Sequence, residues 1–153
     1  MALFLVQHGK SLPKDQDPQK GLSAEGIAET KRIAEVAKGY KVPVAGITHS
    51  GKTRARQTAE IFAKALEPGG GIDEGSGLSP LDDVADFANS IDSADNRMFV
   101  GHLPFMERLT AYLITGSIER CVFKFQNSGI VCLDMEPDSR SWVIKWSLVP
   151  HIA

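Results

Sequence analysis

Ala2-Leu-Phe-Leu-Val6, followed at once by Gln7-His8-Gly9, is the stretch from which the rest of the chain can be read. A continuous apolar run without polar alternation is the pattern of a strand covered on both faces. It stops at Gln7, so Gln7, His8 and Gly9 sit at a strand's C-terminal end. The same arrangement recurs twice. Val44-Ala-Gly-Ile-Thr48 ends in His49-Ser50, and Arg97-Met-Phe-Val-Gly101 ends in His102. Helical patterns separate these strands. Ser23 reads as the N-cap of a helix to about Lys38, with Ile27, Ala34 and Ala37 in apolar spacing and Gly39 as its stop. A second helix runs from about Lys52 to Leu66 on a buried stripe of Ala55, Ala59, Phe62, Ala63 and Leu66. Leu81 to about Ser90 reads as a short helix, and Pro104 opens another that runs to Thr115. Lys10–Gly21 is a polar loop in which Pro13 and Pro18 oppose helix, and Pro68–Gly71 is a flexible one. In the tail, Val122–Phe125, Gly129–Met135 and Ser141–Leu148 read as β, the last as an edge or near-edge strand. Strands alternating with helices predict an α/β layered fold with an antiparallel element at its end.

The length of 153 residues predicts one domain over 1–153, large enough to bury a core without metals or disulfides. Seventeen Lys and Arg against nineteen Asp and Glu give a net charge of -2, which supplies no general attraction to nucleic acid or to an anionic membrane. No run approaches 18 apolar residues, and Met1–Val6 lacks the charged start and cleavage site of a leader. Cys121 and Cys132 form no CxxC pair and no disulfide framework, as expected of a cytoplasmic protein.

Three of the four histidines, His8, His49 and His102, thus follow strands directly. In an open α/β sheet the crevice beyond the strand C-termini is where ligands bind, and Gly9 and Gly101 beside two of them let backbone approach a ligand. Each histidine alone could equally cap or pack its strand end; the recurrence argues for a shared site. Ser50-Gly-Lys-Thr-Arg54-Ala-Arg56-Gln-Thr58 places basic residues at a helix N-terminus, where unpaired N–H groups favour an anion. Only one helical face can meet a pocket, so Lys52 and Arg56 read better as solvated. Gly46-Ile-Thr-His-Ser-Gly51-Lys52-Thr53 also matches a phosphate-cradling P-loop, with Asp134 ending an acidic strand that could serve a metal. The match has poor context, because Gly46 falls inside the better strand. No HxxxH-like spacing marks a metal site.

Taken in order, these pieces resemble the histidine phosphatase superfamily, and its small bacterial branch of SixA-type phosphohistidine phosphatases in particular. Gln7-His8-Gly9 stands where the family has Arg-His-Gly. Lys20-Gly-Leu22-Ser23-Ala-Glu-Gly26 matches its loop closure, Ser50 through Thr58 its Ser-x-x-x-Arg-Ala-x-Gln-Thr helix start, and Gly101-His102-Leu-Pro104 its late Gly-His. The resemblance implies a phosphoglycerate-mutase-like fold: a single-domain three-layer sandwich with a mostly parallel sheet, helices on both faces and an antiparallel C-terminal edge. It implies His8 as a nucleophile that becomes phosphorylated, with Arg54 and His102 neutralising the phosphoryl oxygens, and it needs neither metal nor cofactor.

Gln7 departs from the family's arginine and brings hydrogen-bonding capacity without charge. The expected phosphate-binding set is therefore Gln7, Gly9, Arg54 and His102, with Lys10 as a candidate replacement for the missing cation and a solvated loop residue as its other reading. Asp82 and Asp83 fall near where larger members carry a general acid, although either can instead cap a helix. His49 reads as packing beside its strand end, His151 as solvated. The expected activity is hydrolysis of phosphohistidine on a phosphorylated protein. Alternatives are a small-phosphomonoester phosphatase, a weak phosphate-binding module because of Gln7, and, more remotely, a P-loop nucleotide binder.

Overall fold

The computed structural model describes residues 1–91 and 95–152. Six strands form one sheet: β1 (Ala2–Gln7), β2 (Gly46–His49), β3 (Ile72–Glu74), β4 (Arg97–Gly101), β5 (Ile130–Met135) and β6 (Trp142–Leu148). Four helices accompany them: α1 (Ala24–Gly39), α2 (Thr53–Leu66), α3 (Val84–Ser90) and α4 (Phe105–Thr115). The spatial order is β3-β2-β4-β1-β5-β6. β1, β4, β2 and β3 are mutually parallel, and β5 runs antiparallel to both β1 and β6. The sequence-based expectation of a mostly parallel sheet with an antiparallel C-terminal edge is met.

β1 is the centre of the molecule, and its composition says why. Leu3 and Leu5 pack with α3 and α4 on one face, while Phe4 and Val6 pack with α1 and α2 on the other. A strand buried on both sides has no solvent face to place a polar residue on, hence the unbroken apolar run. Both crossovers that leave the C-terminal ends of β1 and β2 enter helices on the same face, so the polar residues that end β1, β2 and β4 meet at one rim.

Local signals set most boundaries. Ser23 caps α1, its hydroxyl oxygen accepting from the Gly26 N–H at 3.0 Å. α2 begins with no side-chain cap and no acidic residue in its first turn, leaving its N–H groups and dipole uncompensated where Lys52 and Arg54 add further positive charge.

The structure corrects several expectations. The pairing of β2 starts at Gly46, after Val44 and Ala45. The short β3 pairs with β2 although all three of its residues are exposed, so no apolar signal announces it. α3 begins at Val84, because Asp83 caps it and Leu81 is 79% exposed. Ile27 faces solvent, and the buried face of α1 is instead Gly26, Glu29, Thr30, Ile33, Ala34 and Ala37. Val122–Phe125 is not a strand; Phe125 is buried under α4, and its N–H is taken by Glu107 Oε2 at 3.2 Å.

Candidate functional site

His8 leaves β1 at the rim, and three contacts define its chemistry. Its Nδ1–H donates to the Gly9 carbonyl at 2.7 Å, which fixes the tautomer and leaves Nε2 as an unprotonated acceptor. Arg54, in the first turn of α2, places its Nε 3.3 Å from that Nε2 and donates to it. The His102 ring stands beside the His8 ring, and the His102 Nε2 shares a 2.6 Å hydrogen bond with the Ser50 hydroxyl. Burial lowers the His8 pKa to about 4; the Gly9 hydrogen bond opposes this, and the positive charges of Arg54 and Lys20 reinforce it. Burial likewise takes His102 to about 3, assisted by His8, Arg54, Lys52 and Lys20. Both imidazoles are therefore neutral near pH 7, and Arg54, Lys20 and Lys52 surround them with positive charge.

Each residue of the α2 start has a distinct task. Arg54 reaches His8. Ala55 is fully buried in the core. Arg56 points outward and pairs with Glu60 at 2.8 Å. Gln57 Oε1 accepts from the Leu22 N–H at 2.7 Å, pinning the loop that closes on α1. Thr58 Oγ1 accepts from the Gly9 N–H at 2.9 Å. The spacing Arg-Ala-x-Gln-Thr thus ties one helical turn to the His8–Gly9 segment, the core and the end of the Lys10–Gly21 loop together.

Gly9 is required for contact rather than for unusual torsions. A Cβ there would lie 2.8 Å from Thr30 Oγ1 and 3.1 Å from Ser128 Oγ. Gln7 stands beside Gly101 in the β1–β4 register, and its Oε1 is buried with no hydrogen-bond partner among the described residues. His102 Nδ1 is likewise buried and unpartnered among them.

Other expected site residues are placed elsewhere. The Lys10 ammonium turns to α1, 2.7 Å from Glu25 and 3.7 Å from Glu29, and does not join the histidines. Asp83 Oδ1 accepts from the Asp86 N–H, and Asp82 Oδ2 from the Ser79 N–H at 2.8 Å, so both carboxylates serve the start of α3. His49 is buried at its strand end, its Nδ1 accepting from the Gly51 N–H. His151 is not simply solvated: its Nε2 pairs with the buried Glu29 carboxylate, and Gln126 holds its backbone at both N–H and C=O. The P-loop pattern fails on geometry, since Gly46 to His49 are paired strand residues whose amides cannot wrap a phosphate. Among the described residues no three His, Cys, Asp or Glu side chains gather as a metal site.

Sequence reasoning missed Lys20, Ser50 and Thr58. Lys20 lies in a turn ordered by the Asp17 carboxylate, at φ 52°, and its charge acts on both histidines. Its place in the loop motif was the available signal. A cavity of about 580 Å³ lined by Phe4, Val42, Trp146 and Leu148 shares none of this cluster's residues.

Comparison with known proteins agrees with the geometry. The profile of the Histidine phosphatase superfamily (branch 1) matches residues 3–77. The chain is 25% identical to the phosphohistidine phosphatase SixA of Escherichia coli K12, over 98% of this chain and 94% of that protein. It superposes with a TM-score of 0.84 on the structure of the protein histidine phosphatase SixA complexed with tungstate, at 25% identity and covering 98% and 97% of the two chains. A mycobacterial glucosyl-3-phosphoglycerate phosphatase in complex with VO3 shares the fold, with a TM-score of 0.74 at 15% identity over 95% and 97% of the chains. With the matched profile running from β1 through β3, and the likeness to SixA continuing through β6, the chain is similar to the histidine phosphatase superfamily along its length.

Proposed function

We propose that this chain hydrolyses phosphohistidine on a phosphorylated protein, with His8 as the nucleophile. The observation that carries the reading is the His8 tautomer: Nδ1–H is committed to Gly9 and the Nε2 lone pair faces the Arg54 guanidinium. In the first step Nε2 attacks phosphorus in line, and the P–N bond to the substrate imidazole breaks. The departing nitrogen keeps the bonding pair and takes a proton from solvent, which the attacking water returns in the second step. In the second step water attacks phospho-His8, and the P–Nε2 bond breaks to release phosphate. Arg54 and His102 stand beside the oxygens on which charge collects, and Lys20 adds a longer-range cation. An imidazole leaving group departs readily without a dedicated acid, which suits a chain whose Asp83 caps α3 and whose Asp82 accepts from the Ser79 N–H in the preceding turn. The scheme uses no metal. Among the described residues no helix is long and apolar enough to cross a membrane. Both cysteines are free, as suits the cytoplasm, where we place the reaction.

The test is phosphate release from a phosphohistidine-bearing protein in the presence of a chelator, wild type against His8→Ala. Release that vanishes in the variant is the expected result; release that persists overturns His8 as nucleophile. Gln7 favours a second reading, a module that binds phosphate with little turnover. In that case inorganic phosphate stabilises the fold while neither phosphohistidine nor a panel of small phosphomonoesters is hydrolysed.

A further inference from the structure

The peptide between His8 and Gly9 is held at both ends by side chains from distant parts of the chain. Its C=O accepts from Asn127 Nδ2 at 2.9 Å, and its N–H donates to Thr58 Oγ1 at 2.9 Å. The polarity of both bonds is fixed. The Thr58 hydroxyl spends its proton on the Arg54 carbonyl at 2.7 Å, so toward Gly9 it accepts. The Asn127 carboxamide must turn its NH2 to a carbonyl oxygen, because the reverse orientation would set acceptor against acceptor.

The next residue along, Ser128, completes the hold. Its N–H donates to the Gln7 carbonyl at 2.9 Å, so residues 127 and 128 take the last two carbonyls at the end of β1. Ser128 is fully buried at φ 70°, a left-handed conformation that costs a serine energy and persists only where its surroundings impose it. Its hydroxyl meets Thr30 Oγ1 at 2.7 Å, and together these oxygens fill the space where a Gly9 side chain would be. The Gly9 carbonyl is the acceptor of the His8 Nδ1–H. That carbonyl belongs to the next peptide, Gly9–Lys10, so the clamp on the His8–Gly9 peptide acts by fixing the Gly9 Cα from which the carbonyl projects, and so decides which imidazole nitrogen carries the proton.

We propose that Asn127 is a positioning residue that sets the tautomer of His8 through this peptide; the inference rests on the reading of His8 as nucleophile. Without the Asn127 donor the His8 carbonyl is free, and Gly9, lacking a side chain, lets the peptide turn. Nδ1 then loses its acceptor, and part of the population carries the proton on Nε2, where it blocks attack on phosphorus.

The experiment uses the full chain labelled with [15N]histidine. Multiple-bond 1H–15N spectra at neutral pH read the tautomer, and the His8 signals are those absent from His8→Ala. Wild type is expected to show a protonated Nδ1 and an unprotonated Nε2. Asn127→Ala, and Asn127→Leu, which keeps the volume, are expected to show averaged shifts. Their kcat on a phosphohistidine-bearing protein should fall about 10–100-fold with KM within about threefold. Gln126→Ala serves as the control: it releases the neighbouring tail contact to His151 without touching His8, and should keep the wild-type tautomer. A wild-type tautomer in both Asn127 variants, an unchanged kcat despite a shift, or the same shift in Gln126→Ala overturns the proposal. Absence of any phosphate release by wild type would sink the nucleophile reading instead, and the spectra would still decide whether Asn127 sets the tautomer.

Discussion

The imidazole of His8 lies 4.9 Å from that of His102, centroid to centroid, with the rings tilted by 51°. Two protonated rings at that separation, beside Arg54 and Lys20, would repel one another strongly. The site avoids this by burying both in the neutral form, which is also the form that a nucleophile and a hydrogen-bonding partner require.

That arrangement makes stability depend on pH in a predictable direction. Folded-state values of about 4 for His8 and about 3 for His102 lie below the ordinary histidine value of 6.5, and the pKa of His49 is also lowered by burial. The unfolded chain therefore takes up protons first. Stability is fully present above about pH 6.5 and falls as pH drops toward 4, by about 1.4 kcal/mol per pH unit for each strongly shifted histidine. Denaturant midpoints at pH 7.5 and 5.5 measure it, and His102→Gln should flatten the slope. Equal midpoints would show that the rings are not buried neutral.

Arg54 is expected to be irreplaceable by lysine. Its Nε contacts His8, and in the proposed reaction the rest of the guanidinium binds phosphoryl oxygens, a division that a single ammonium cannot reproduce. Arg54→Ala should lower kcat/KM about 10²–10³-fold and Arg54→Lys should recover little of it. Full activity in Arg54→Lys would show that only its charge matters.

Gln7→Arg should raise kcat/KM about tenfold by adding a charged donor. In the absence of anion the same change should lower the melting temperature, since an unpaired guanidinium would replace a neutral amide in a partly buried position. Inorganic phosphate should then stabilise the variant more than wild type. A variant with equal turnover and equal phosphate response would place Gln7 outside the phosphate's reach.

Lys10→Ala should leave kcat/KM within about twofold, because its ammonium serves an exposed pair with Glu25, the kind of contact that matters little. A large loss of phosphate affinity would instead mean that Lys10 swings to the site in the presence of substrate.

Gly26→Ala should destabilise by at least about 2 kcal/mol, as the added carbon would fall 2.1 Å from the Lys10 backbone oxygen. Gly39→Ala, with open space around it, should be neutral or stabilising by up to about 1 kcal/mol. Thermal unfolding of the two variants side by side separates contact from backbone freedom.

What the sequence made legible follows from how local each signal is. β1 and β4 announce themselves because strands covered on both faces are apolar throughout, and Ser23 announces α1 because its cap acts within three residues. β3 was silent because an exposed three-residue strand carries no apolar mark. Leu81 misled because an apolar residue beside a helix start reads as part of its buried stripe, whereas here it faces solvent. Within the site, His8, Arg54 and His102 were legible as strand-end and helix-start residues. The destination of Lys10 was not, because Glu25 and Glu29 meet it only once α1 has folded back across the loop. The contacts of Thr58 and Asn127 to the His8–Gly9 peptide span 49 and 119 residues, and no short window along the chain contains both partners.

The position of β1 has a consequence for synthesis. β1 needs neighbours on both sides, and those neighbours, β4 and β5, are made well after it, beginning at residues 97 and 130. Before β4 has emerged neither edge of Leu3-Phe-Leu-Val6 is paired, and until β5 follows only one is, so the segment remains sticky and apolar. Translation must therefore outlast the assembly of the helices, and a nascent chain stalled before residue 130 should be a client for chaperones rather than an early enzyme.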